Sequence, residues 1–213
     1  MNPNLFSTLL NAPRPLPWVT LLGLDGSGKS TVLETLEEQL QPLAITVIHR
    51  RPGVVYRTGQ SEGGAAGITH YGKPAHGPIK SVLKLLAMVL DWHIGYWRTI
   101  RPARRRGELV ITDRHALLDL IADPLRYRYG GPVGLVYWAI RLAPRPQNVF
   151  LLDAPIAVLQ ARKQELSVKK AEELRAAYLQ LLQKLPNGRV IDASQPIDQV
   201  MKDIVSHLVL QTE

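Results

Sequence analysis

Gly23-Leu24-Asp25-Gly26-Ser27-Gly28-Lys29-Ser30-Thr31 follows the apolar run Trp18-Val19-Thr20-Leu21-Leu22 and precedes Val32, Leu33, Leu36 and Leu40, which recur at helical spacing. The stretch fits the pattern G-x-x-x-x-G-K-[ST], in which every fixed position has a physical reason. Gly23, Gly26 and Gly28 let the backbone take positive φ and approach a polyphosphate without a Cβ in the way. Successive N–H groups form an anion nest, and the positive end of the following helix faces the same ligand. Lys29 supplies a mobile charge for the outer phosphates, and Ser30 places a hydroxyl where Mg²⁺ would be ligated. A glycine-rich turn with no ligand is the plain alternative. The strand before the loop and the helix after it weigh against that, and imply a site for a nucleoside triphosphate.

Outward from the loop, strands alternate with helices. Ile45-Thr46-Val47-Ile48 reads as a second strand, Leu109-Val110-Ile111-Thr112 as a third ending at Asp113, Val149-Phe150-Leu151-Leu152 as a fourth ending at Asp153, and Arg189-Val190-Ile191-Asp192 as a fifth. Helical spacing runs through residues 81–100, 116–122, 133–142, 155–163, 169–185 and 197–210. This order predicts an α/β fold, a three-layer P-loop architecture with a five-stranded parallel sheet covered by helices on both faces. Ligands in such sheets sit beyond the carboxyl ends of the strands, where Gly23, Arg50, Asp113 and Asp153 all fall. Residues 1–17, with four prolines, read as an N-terminal arm, and residues 18–213 as one domain. Seven glycines between Pro52 and Pro78 mark a loop at about residues 53–78, too long for a plain connection.

The 213 residues suit one α/β domain with a sizeable core. No apolar run approaches the ~18 residues needed to cross a bilayer. The start carries no basic segment of the secretory kind, and the absence of cysteine excludes disulfides and thiol catalysis and fits a cytoplasmic protein. A net charge of +8 calls for phosphate-rich partners or an anionic surface. The arginines at 98, 101, 104, 105 and 106 read as a solvated helix end, and no motif supports specific nucleic-acid binding. Arg126-Tyr127-Arg128-Tyr129, read as extended chain, would put two guanidinium groups on one side, suited to acceptor phosphates. Trp92, Trp97 and Trp138 read either as packing or as stacking platforms for a base.

A phosphate loop transfers nothing without an acid at the end of a neighbouring strand to help hold Mg²⁺, and Asp113 has that position. Arg114, directly after it, offers a planar fork for an acceptor phosphate or for charge developing in transfer.

At this point the residues resemble the thymidylate kinases, within the nucleoside monophosphate kinases, over nearly the whole chain. The loop from Gly23 to Thr31 is similar to that family's loop, and the resemblance assigns Asp25 to the acceptor sugar hydroxyl. Arg50-Arg51-Pro52-Gly53 resembles the family's Arg-Glu-Pro-Gly, whose arginine holds the acceptor phosphate, and Asp113-Arg114-His115 resembles its Asp-Arg-Tyr/His. Leu152-Asp153-Ala154-Pro155 with Arg162 resembles the fourth strand and the start of a lid, here short, at about residues 162–168. The chain departs from the family at Arg51, where an acid is usual, at Trp92, where a nucleotide-binding arginine lines up beside Asp91, and throughout residues 122–131.

The expectation is therefore transfer of the ATP γ-phosphoryl group to a nucleoside monophosphate, with dTMP the first candidate. Gly23, Asp25, Gly26, Ser27, Gly28, Lys29, Ser30 and Thr31 would bind ATP, and Ser30 with Asp113 would hold Mg²⁺. Lys29, Asp113, Arg114 and Arg162 would carry the reaction, and Asp25, Arg50, Trp92, Arg114, Arg126 and Arg128 would bind the acceptor. A phosphorylated sugar, glycan or lipid-linked acceptor, or a non-catalytic ATP-binding module, are the rival readings. The partner is a small phosphorylated molecule, with a homodimer and weak contact with an anionic membrane both left open.

Overall fold

A computed structural model of the chain describes residues 9, 11, 15–49, 51–54 and 74–209. Arg50, most of the N-terminal arm and residues 55–73 of the glycine-rich stretch lie outside the described residues.

Strands β1 (Trp18–Leu22), β2 (Ile45–His49), β3 (Leu109–Asp113), β4 (Asn148–Asp153) and β5 (Gly188–Asp192) form one sheet in the order β2-β3-β1-β4-β5. All four pairings are parallel. The three inner strands are near-continuous apolar runs because helices cover both of their faces. Alternation along β1 sorts its side chains between the layers. Val19 and Leu21 enter the core that also holds Leu36, Ile111, Phe150 and Ile204, while Trp18 and Leu22 enter the cores of the opposite face. Helices α1 (Lys29–Gln39) and α8 (Ile197–Val209) cover the first face, where Leu9 and Leu16 are also fully buried.

On the second face lie α2 (Pro78–Gly95), α3 (Arg101–Arg105), α4 (Ala116–Ala122), α5 (Val133–Leu142), α6 (Ile156–Arg162) and α7 (Val168–Gln183). The helix read over residues 81–100 is helical throughout, with a change of winding near its end. Helix α2 starts earlier, with Pro78 in its first turn, and after Gly95 the chain widens into a π-helical turn, Tyr96–Ile100, before α3. A proline at the start of a helix loses no internal hydrogen bond, which is why the boundary falls there. The tyrosine-arginine stretch is also not extended. Leu125–Tyr127 is a 3₁₀ turn and Arg128 takes a left-handed conformation with φ 53°, so its two arginines diverge.

From central β1 the chain moves one way to β2 and β3 and later the other way to β4 and β5. In a sheet of this order a ligand crevice is expected beyond the carboxyl ends of the strands, where these connections part.

Candidate active site

The loop between β1 and α1 depends on its glycines. A Cβ at Gly23 would stand 2.6 Å from Ser27 Oγ and 2.7 Å from the Leu152 carbonyl, and Gly28 opens α1 at φ 88°. Lys29 does not extend into solvent. Its Nζ donates to the Gly23 carbonyl at 3.0 Å, the Leu24 carbonyl at 2.7 Å and Ser27 Oγ at 3.2 Å. Burial, helped by the nearby Arg114 charge, lowers the ammonium pKa to about 7. Ser30 and Thr31 stand exposed at the start of α1.

Asp113 ends β3 opposite Leu21 of β1, one strand over from the loop. His49 Nδ1 lies 3.2 Å from its Oδ2, whereas its Oδ1 is buried and has no hydrogen-bond partner. A carboxylate oxygen left without a donor in a buried position is costly, and a cation relieves that cost. No cluster of three or more histidine, cysteine or acidic side chains suited to a metal occurs among the described residues. One carboxylate and a nearby hydroxyl suit Mg²⁺, which takes few protein ligands and fills its shell with substrate phosphates and water.

Arg114 is buried, at 5% exposure, with φ 66°. Its Nη1 donates to the Gly23 carbonyl at 3.2 Å and its Nη2 to Asp25 at 2.5 Å. Arg126 Nη1 stands 3.9 Å from the other Asp25 oxygen, so one loop carboxylate lies between two guanidinium groups. Burial opposes ionisation of Asp25, yet Arg114, Lys29 and Arg126 outweigh it and hold its pKa down to about 2. Behind them Asp119 is fully buried and accepts from Tyr178 at 2.9 Å and Tyr127 at 3.3 Å.

Other residues named from the sequence are engaged outside this cluster of hydrogen bonds. Trp92 has 0% exposure and stacks on His115, ring centres 3.9 Å apart at 4°, so it offers a ligand no surface. For this tryptophan the packing reading holds, while Trp97 and Trp138 are exposed. Arg128 donates to the Pro74 carbonyl at 2.9 Å, and exposed Arg162 to the Ala193 carbonyl at 3.0 Å. The arginine-rich helix end is only partly a solvated face: Arg104 donates to the Leu16 carbonyl, Arg106 pairs with Glu108, and Arg101 lies over the Trp97 ring at 4.4 Å. Asp153 is held by Arg175 through two hydrogen bonds of 2.7 Å.

Sequence reasoning missed Asp91 and Asp119 as structural centres. Each is one acid inside an apolar helix, a placement that itself signals a satisfied buried carboxylate.

The family model described as thymidylate kinase matches residues 22–204. The thymidylate kinase of Bifidobacterium longum is 32% identical over 215 residues, covering 90% of this chain and 96% of that one. The probable thymidylate kinase of Thermococcus onnurineus is 28% identical over 206 residues, covering 89% and 95%. The solved thymidylate kinase of Candida albicans superposes with a TM-score of 0.61 at 18% identity, over 92% of this chain and 93% of that one, a likeness of fold. The chain belongs to the thymidylate kinase family.

Proposed function

We propose that the protein transfers the γ-phosphoryl group of ATP to a nucleoside monophosphate, with dTMP as the preferred acceptor. The observation that carries this reading is the unpartnered, buried Oδ1 of Asp113 on the strand beside the phosphate loop. Asp113 and Ser30 would hold Mg²⁺, which would supply neutralisation of the phosphate charge of ATP. Lys29 would leave its loop carbonyls for the β- and γ-phosphates, and the loop amides from Gly26 to Thr31 would cradle them. Arg162 would approach the donor from the end of α6. Arg50 and Arg114 would orient the acceptor phosphate in line, with Asp25 on the acceptor sugar and Arg126 close by. Positioning and charge neutralisation supply most of the catalysis in such a transfer.

The test is acceptor-dependent release of ADP with a panel of nucleoside monophosphates and Mg²⁺. The highest kcat/KM is expected with dTMP, and no acceptor-stimulated turnover with any of them overturns the reading. One observation favours a second acceptor class. Buried Trp92 stands where the family carries a nucleotide-binding arginine, so sugar phosphates belong in the same panel.

We also infer a homodimer. Ile79, Leu83, Leu86, Leu90, Ile94 and Trp97 form an exposed apolar stripe along α2 and the π turn, beside exposed Trp138 and Leu142 of α5. A stripe of that extent is what a second copy would cover. Among the described residues no helix is long and apolar enough to cross a membrane. We propose a cytoplasmic location on a separate ground, that ATP and nucleoside monophosphates are both found there.

A further inference from the structure

Asp91 has no exposed surface, yet it stands in the apolar run of α2 with its carboxylate turned to the loop after β2. Its Oδ2 accepts from Arg51 Nη1 at 3.2 Å and from the Gly53 N–H at 2.9 Å, and its Oδ1 from the Val54 N–H at 2.6 Å. One turn further along α2, Gly95 makes room for Pro52 of the same loop: a Cβ there would stand 2.1 Å from Pro52 Cβ. The next residue, Trp92, serves a different strand. Its ring is stacked on His115, which follows Arg114 at the exit of β3. Two consecutive residues of one helix thus hold the exits of two adjacent parallel strands, β2 and β3.

Both exits carry an acceptor arginine in the reading above, Arg50 next to Arg51 and Arg114 next to His115. We propose that Asp91, Trp92 and Gly95 are positioning residues that hold the turn at residues 51–54 and the Arg114–His115 exit of β3 in register as the two flanks of the acceptor-phosphate site. The proposal rests on the phosphoryl-transfer reading and names how its acceptor half is built.

The geometry gives the reason for each residue type. A buried carboxylate is too costly to leave without its donors, so the turn at residues 51–54 is held to α2. Gly95 lacks the Cβ that would push Pro52 away. The Trp92 ring against His115 fixes the second exit by packing alone. Guanidinium groups bind phosphate through a rigid fork, so displacement by a fraction of an ångström loses one of two paired hydrogen bonds. The ion pair also involves a departure of the sequence. Arg51 stands at the loop position where the resemblance expects an acid, and its Nη1 lies 3.2 Å from Oδ2 of the acid on the helix, Asp91.

The experiment compares Asp91→Asn, Gly95→Ala, Trp92→Phe and Trp92→Ala in full-length protein, by dTMP kinetics at saturating ATP and by titration with a non-hydrolysable ATP analogue. Asp91→Asn sets an amide N–H against backbone donors, and Gly95→Ala lifts Pro52 without touching a charge. Both are expected to raise the dTMP KM about tenfold or more while analogue affinity stays within about threefold. Trp92→Phe keeps an aromatic face on His115 and should stay near the wild type, whereas Trp92→Ala should follow the other two. A residue that merely supports the fold would lower Tm and leave the dTMP KM alone. An unchanged dTMP KM in Asp91→Asn and Gly95→Ala proteins that bind the analogue therefore overturns the proposal and leaves the phosphoryl-transfer reading standing. Should Asp91→Asn fail to fold, Gly95→Ala decides. A wild type that phosphorylates no nucleoside monophosphate overturns both, and is told apart because the failure appears before any substitution.

Discussion

Arg114 turns back from the end of β3 and grips Asp25, in the loop that follows β1, at 2.5 Å. The contact crosses between the two halves of the cleft. From the sequence Arg114 reads as a fork for the acceptor phosphate or for charge developing in transfer, because it follows Asp113 at a strand end. The left-handed backbone at φ 66° turns its side chain onto the donor loop instead, where it also meets the Gly23 carbonyl at 3.2 Å. A non-glycine residue in that conformation is strained, and strain of this kind is retained where the surroundings over-determine it. Here the donor loop and the acceptor arginine are one hydrogen-bonded unit.

Arg114→Ala is accordingly expected to weaken both substrates. It strips Asp25 of its nearer cation and leaves Arg126 at 3.9 Å as the remaining pair. Losing one partner of a largely buried ion pair costs about 3 kcal/mol, enough to loosen the loop. ATP affinity should fall about tenfold and acceptor kcat/KM about a hundredfold. Arg114→Lys should recover only part of either, because a point charge cannot serve Gly23 and Asp25 together. Calorimetric ATP titration and coupled ADP release check both. Unchanged ATP affinity in Arg114→Ala would return the residue to the acceptor side alone.

Lys29→Ala should lower kcat by about a hundredfold or more with the fold intact, since its charge is aimed at phosphates whose charge shifts during transfer. Burial holds the ammonium near pKa 7, so at pH 8 the free protein carries it mostly neutral. Arriving phosphates favour the charged form and raise that pKa, and ATP binding at pH 8 should then take up a proton at this residue. Calorimetry in buffers of different ionisation enthalpy measures the uptake, and Lys29→Ala should remove it.

His115 should make the protein sensitive to mild acid. Burial lowers its pKa from 6.5 to about 3, and neither ring nitrogen has a hydrogen-bond partner. Between pH 6.5 and 3 the unfolded chain binds a proton here that the folded one refuses, so stability falls as pH drops through that window. His115→Phe keeps a flat ring on Trp92 and carries no titrating group, and should flatten the slope of denaturant stability between pH 6.5 and 4. An identical slope in both proteins would show that His115 is protonated in the fold.

The parts of this molecule written in consecutive residues were legible. The phosphate loop, the five strands and the Asp113 position each depend on a local pattern, and all of them lie where the pattern puts them. What stayed hidden depends on partners far apart in the chain. Asp91 is 38 residues from Gly53, and Asp119 is 59 from Tyr178, so neither acid announces its donors. The sequence favours packing over base stacking for Trp92 but does not name its partner, His115, which β3 brings against it. The tyrosine-arginine stretch misled for a local reason: alternation suggests extended chain, but Pro124 starts a 3₁₀ turn that a left-handed Arg128 closes.

The apolar stripe of α2 carries the last prediction. Leu83, Leu86 and Leu90 are 62%, 55% and 55% exposed, on the same side of the helix at intervals of three and four residues. A helix face of this kind, beside exposed Trp138 of α5, is a contiguous apolar surface of the sort that marks an interaction site. Arginines stand at its edge, with Arg101 over Trp97 and Arg141 over Trp138, and in a two-fold pairing they form a polar rim around an apolar centre. Leu86→Glu with Leu90→Glu places two carboxylates in that centre. The wild type should sediment as a dimer and the double variant as a monomer with its ATP affinity retained, since the phosphate loop lies on other elements. If the wild type sediments as a monomer and instead pellets with anionic vesicles in a salt-sensitive way, the stripe faces a membrane surface and the dimer is wrong.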